Sequence, residues 1–154
     1  MPQRARVVNL MEFAYPASVR RLRGRVAKAL QAWGVRLEDE PATAVAVVVS
    51  NTFAAALRLT IEESSPAVTV CLILVGRELT VEVRSGTGVF PDARPREAVR
   101  LPQILAVHTT DTGVERRLGG ARVWATTVLP VGALQRRARH RRRRRWRPWC
   151  RVLV

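Results

Sequence analysis

Along this chain of 154 residues the period of apolar positions changes several times, and each change marks an element. Residues 6–15, RVVNLMEFAY, are short, partly β-branched and closed by Pro16, which predicts a first strand. Val19, Leu22, Val26, Leu30 and Trp33 then recur at spacings of three and four, as on an amphipathic helix. Ser18 is placed to cap its start and Gly34 to end it. From Pro41 through Leu57 there is no charge, and the Ala- and Leu-rich run predicts a buried central helix over 41–61. Glu38, Asp39, Glu40 and Pro41 suit its first turn, where the macrodipole favours acids and proline loses no needed N–H.

Two β-rich runs, 67–75 and 78–84, are joined by Gly76 and Arg77 and predict an antiparallel hairpin. In the second, Leu79, Val81 and Val83 alternate with Thr80, Glu82 and Arg84, so one face should be buried and the other wet. Residues 85–100 hold two glycines and two prolines and read as a long loop. Residues 101–110 could form a short helix. A last hairpin follows, with strands at 113–118 and 121–129, a turn at Leu118, Gly119 and Gly120, and Trp124 facing the core. The whole predicts a two-layer α/β sandwich with a mainly antiparallel sheet and helices on one face.

Length and a 47% hydrophobic content fit one buried core. The net charge of +15 is uneven: residues 136–151 carry ten Arg and no acid, which leaves 17 basic and 12 acidic residues, or +5, elsewhere. Residues 1–133 therefore read as the domain and 134–154 as an Arg- and Trp-rich extension, solvated and disordered without a ligand. Arg20, Arg21, Arg23, Arg25 and Lys28 give the first helix a basic face, read as solvated. Cys71 and Cys150 offer neither a disulfide framework nor metal-ligand spacing. The central apolar run is short for a membrane span and interrupted by Ser, Asn and Thr, and no leader pattern opens the chain. A cytoplasmic protein without a transmembrane segment is expected.

One position in the central helix asks for a reason. Val47, Asn51 and Ala55 share a face, and the amide of Asn51 is that face's single polar group. Either it bonds to neighbouring backbone or it belongs to a site.

The order of parts resembles the bacterial anti-sigma-factor serine kinases of the histidine-kinase-like ATPase superfamily, over about residues 10–130. The resemblance rests on ASVRRLRGRVAKALQAWGV, the Asn51 helix, the hairpin ending VEVRSGTGVFP, and GVERRLGGARVWATTVLP. It implies a Bergerat-type sandwich, an ATP and magnesium site, and a sigma factor or an anti-sigma antagonist as partner, bound by a homodimer. The family's central helix carries Glu-x-x-x-Asn with His or Lys four residues on: general base, magnesium ligand and phosphate contact. Val47, Asn51 and Ala55 stand at those positions, so only the magnesium ligand, Asn51, is kept. The family's strand-end Asp, which reads adenine, falls on Ser85 in an ungapped match and on Arg84 when Gly86 and Gly88 are matched as Asp-x-Gly-x-Gly. Those glycines would admit a ligand close to the backbone, or simply form a turn. The Gly-x-Gly-Leu phosphate turn falls on Val99, Arg100, Leu101 and Pro102, where Arg100 is left to supply charge.

The resemblance thus implies a regulatory partner-binding protein with a degenerate ATPase site and no phosphoryl transfer. An active serine-protein kinase is the alternative, with Glu62, Glu63 or Glu97 as base. A third reading assigns the function to the extension: Arg141, Arg142, Arg143, Arg144 and Arg145 with Trp146 and Trp149 could neutralise phosphates and stack on bases, or meet an anionic membrane surface.

Overall fold

A computed structural model describes residues 4–60, 67–86, 90 and 103–134 of the chain. Among them the elements run β1 (Arg6–Phe13), α1 (Ser18–Ala32), α2 (Asp39–Thr60), β2 (Ala67–Val75), β3 (Glu78–Gly86), a one-turn 3-10 helix (Gln103–Leu105), β4 (Asp111–Arg117) and β5 (Gly120–Val128). The five strands form one sheet in the order β1-β2-β3-β5-β4, antiparallel throughout. Both helices cover one face of it, which makes a two-layer α/β sandwich.

Strand alternation selects the residues of that face. Leu10 pairs with Val70, which pairs with Val83, which pairs with Val123, so one row crosses four strands beneath the helices. Leu22, Val26 and Leu30 of α1 and Val45, Val48, Val49, Phe53 and Ala56 of α2 close the core from above. The α2 residues follow a three-and-four spacing, which gives a single apolar stripe. By length and composition α2 could also cross a membrane. Here its stripe is laid against β3 and β5.

Helix ends divide between expected and unexpected chemistry. Gly34 ends α1 at φ 76°, with Gly34 N–H donating to Gln31 O and Val35 N–H to Leu30 O, both at 2.9 Å. That is a Schellman closure, which needs the left-handed residue glycine supplies. Ser18, however, caps nothing. Ala17 before it is already helical, at φ −62° and ψ −22°, so no extended N-cap residue is present to turn a side chain back on the first turn. Serine is simply the first residue of the helix, and it is buried.

Three other expectations are corrected. The 101–110 segment, of which 103–110 are described, forms only a 3-10 turn: Ala106 N–H donates to Gln103 O and His108 N–H to Leu105 O, three residues back rather than four. Trp124 is buried but faces away from the helices, because it lies between Val123 and Ala125, which both face them. The face of β3 expected to be wet is not: Thr80 and Glu82 are buried with Trp124 and Arg122.

Candidate functional site

Gly88, Val99, Arg100, Leu101, Pro102, Glu62, Glu63 and Glu97 lie outside the described residues, as do Arg141, Arg142, Arg143, Arg144, Arg145, Trp146 and Trp149. The described part of the expected site consists of the middle of α2 and the end of β3.

On α2 the row Val47, Asn51, Ala55 runs along the flank of the core stripe and is half-buried. Asn51 Nδ2 donates to Val47 O at 2.9 Å. Its neighbours do the same with their hydroxyls: Ser50 Oγ donates to Ala46 O and Thr52 Oγ1 to Val48 O, each at 2.7 Å. Polar side chains in an apolar helix interior commonly satisfy themselves on the carbonyl four residues back. The amide donor of Asn51 is thus used locally, and its Oδ1 is the group on the row with lone pairs to offer a cation. Val47 and Ala55 contribute carbon alone.

At the end of β3, alternation with Val81 and Val83 turns Ser85 toward the helix layer, where it is 2% exposed. Its Oγ accepts from Ala121 N–H of β5 at 3.3 Å. Arg84 points to the opposite face and forms an ion pair with Glu82. Of the two residues that sequence matching offered for the adenine-reading position, only Ser85 shares a layer with Asn51. Gly86, at φ 72°, pairs with Gly120, so neither strand end carries a side chain there.

An open cleft of about 750 Å³ adjoins the N-terminal end of the row, lined by Asp39, Glu40, Thr43 and Val47 with His108, Val128 and Pro130 opposite. Its acids belong to the first turn of α2, and Glu40 lies on the Asn51 side of the helix but eleven residues, three turns, before it. Among the described residues no three His, Cys, Asp or Glu side chains gather into a metal-holding group. Magnesium-ATP needs an adenine acceptor, a phosphate cradle and a metal ligand. The expected phosphate turn at 99–102 lies outside the described residues, and on the α2 row Asn51 alone carries a side-chain oxygen.

Charge is concentrated elsewhere, at places where the sequence signalled only strand alternation or a solvated helix. Glu12 at the end of β1 accepts from Arg21 Nη2 at 2.7 Å and Arg25 Nη1 at 2.5 Å. These two arginines, one turn apart on α1, are therefore ion-paired rather than merely solvated, while Arg20, Arg23 and Lys28 are exposed. Burial pushes the Glu12 carboxyl up, but the hydrogen bonds and charges of Arg21 and Arg25 outweigh it, and its pKa lies below the ordinary value. On the sheet face away from the helices, Glu115 bonds both Arg117 and the fully buried Arg122. The Arg122 guanidinium lies 5.4 Å from the Phe90 ring centre and 5.6 Å from that of Trp124. Trp124 Nε1 donates to Asp111 Oδ2 at 2.9 Å. Burial raises the Glu115 carboxyl and Arg117 and Arg122 lower it further, so it too stays below the usual range.

Comparison with protein-family models and with curated proteins finds no match to this chain.

Proposed function

We propose that this chain is a regulatory partner-binding protein with a degenerate histidine-kinase-like ATPase fold, of the anti-sigma-factor kinase type, acting by occupancy and not by phosphoryl transfer. The observation that carries the reading is the composition of the α2 row. Asn51 stands where the resemblance expects the magnesium ligand, flanked at four-residue spacing by Val47 and Ala55 in place of base and phosphate contact. Valine cannot accept a proton, so general-base chemistry has no group at the position one turn before Asn51. The layout of a five-stranded antiparallel sheet under two helices is compatible with a Bergerat-type fold. Partners in this reading are a sigma factor or an anti-sigma antagonist, bound by a homodimer.

Calorimetric titration of magnesium-ATP tests the proposal, with Asn51→Ala alongside. Each missing hydrogen bond or charge contact weakens binding by ~1–3 kcal/mol, and several together carry a micromolar site to millimolar or weaker. The expected result is no micromolar binding and no phosphorylation of a co-purified partner. Micromolar affinity abolished by Asn51→Ala would instead show an intact nucleotide site and overturn the degenerate reading. Pull-down from native cytosol with and without residues 134–154 then separates a partner of the domain from one of the extension.

A second reading is favoured by one specific feature, the ten Arg without an acid in 136–151 beside Trp146 and Trp149. It gives the extension affinity for nucleic acid or an anionic surface through phosphate neutralisation and stacking.

A further inference from the structure

We propose that the groove between α1 and α2 is a docking site for an amphipathic helix of a partner protein, bordered by acidic residues. The inference deepens the partner-binding reading and rests on it, while using a surface separate from the Asn51 row.

The groove has a volume of about 490 Å³ and a floor of Val26, Leu30, Val45 and Val49. Ala27, Ala42 and Ala46 keep part of its lining short, beside the longer Arg23, Gln31, Arg36 and Leu37. An apolar trough between two helices is the geometry that accepts a third helix by its i, i+3, i+4 and i+7 residues. The trough is tied down beside Val35 and Arg36. There Val35 bridges to Leu134, and Arg36 N–H donates to Ala133 O at 2.7 Å, pinning the connection between the helices.

Charge decides what kind of helix fits. Arg23 and Arg36 line the groove and are exposed. Arg21 and Arg25 on the adjoining side of α1 are committed to Glu12, whereas neither Arg23 nor Arg36 makes an ion pair among the described residues. No acid occurs anywhere in α1, and the exposed acids Glu38, Asp39 and Glu40 at the start of α2 are outside the groove lining. A ligand with carboxylates at the borders of its apolar stripe would meet both arginines. The chain's own extension would be repelled, since 136–151 hold ten Arg and no acid. A second copy presenting α1 would be repelled in the same way.

The test uses the full chain and fluorescently labelled sixteen-residue helical peptides that share one leucine-alanine face. In one the stripe is bordered by glutamate, and in its twin by lysine. Anisotropy titrations at moderate salt should show the glutamate peptide binding about tenfold more tightly than the twin, as two partly screened ion pairs at an apolar groove provide. Because the Arg-rich extension also attracts acidic peptides, the deciding comparison is Arg23→Glu with Arg36→Glu, two exposed positions whose change leaves the core intact. That variant should lose the groove's share of the preference, so that the glutamate peptide's advantage falls several-fold, and Ala46→Trp should weaken both. An unchanged preference in the double variant would overturn the proposal, as would equal binding of the two peptides to the native chain. So would a failure of both peptides to bind the native chain. A partner captured from cytosol equally well by native chain and double variant would leave the regulatory reading standing and remove the groove from it.

Discussion

Glu12 is enclosed between β1 and α1, while Arg21 and Arg25, which hold it, keep much of their side chains in water. The pair is therefore asymmetric. Glu12→Gln releases two arginines that hydrate easily and should cost about 1 kcal/mol. Arg21→Ala with Arg25→Ala strands a buried carboxylate and should cost about 3 kcal/mol. Urea unfolding of both variants checks the order, and equal losses would contradict it. The pH dependence has a definite sign. In the native chain the lowered pKa of Glu12 means that its stabilising share is complete above the ordinary glutamate range and is lost as pH falls through the folded value. In the double variant burial acts alone and raises that pKa, so its share is present in acid and lost as pH rises. The deficit of the double variant should thus narrow between about pH 7 and about pH 3.

At the level of elements, the two ends of α1 make opposite predictions for two residues that look equally like helix signals. Gly34 holds a left-handed backbone at φ 76° in a Schellman closure, so Gly34→Ala should destabilise by about 1 kcal/mol. Ser18 makes no capping hydrogen bond, so Ser18→Ala should fall within about 0.5 kcal/mol of the native chain instead of the usual loss of a cap. Thermal melts of the two variants would show the contrast, and a Ser18→Ala loss as large as that of Gly34→Ala would count against it. In α2, Phe53 is fully buried at the centre of the stripe, and Phe53→Ala should cost about 4 kcal/mol, which denaturant unfolding measures.

For the whole molecule, the sheet has a buried interior on one side and, on part of the other, a second cluster built on charge. Arg122 and Arg117 both bond Glu115, but Arg122 is fully buried and Arg117 is half exposed. Arg117→Ala should change stability by less than about 1 kcal/mol, and Arg122→Ala by about 3 kcal/mol, because the latter also vacates the space beside Phe90 and Trp124. Equal effects in urea unfolding would refute the distinction. Any affinity for mixed-sequence DNA should disappear in a 1–133 truncation and, in the full chain, fall steeply with salt through counterion release. Equal binding by the two lengths at low salt would sink that assignment.

What the residues alone determined was the succession of elements. Strand and helix periods are local properties, and so is the need for glycine at position 34 or at the turn of the β2-β3 hairpin, where Gly76 has φ 59°. The place of Asn51 on one row with Val47 and Ala55 was legible for the same reason. Which face a strand residue joins is not local. Glu82 follows the alternation read from sequence and Trp124 does not take the face expected of it, and only their pairing with each other, across from the helices, shows that the second face is also buried. The same holds for Glu12, whose partners lie nine and thirteen residues away on another element. Between Ser85 and Arg84, sequence matching left the adenine-reading position open, and the sheet register turns only Ser85 toward α2. Burial and charge pairing depend on which surfaces meet, and that was decided by the packing of α1 and α2 on a single face of the sheet.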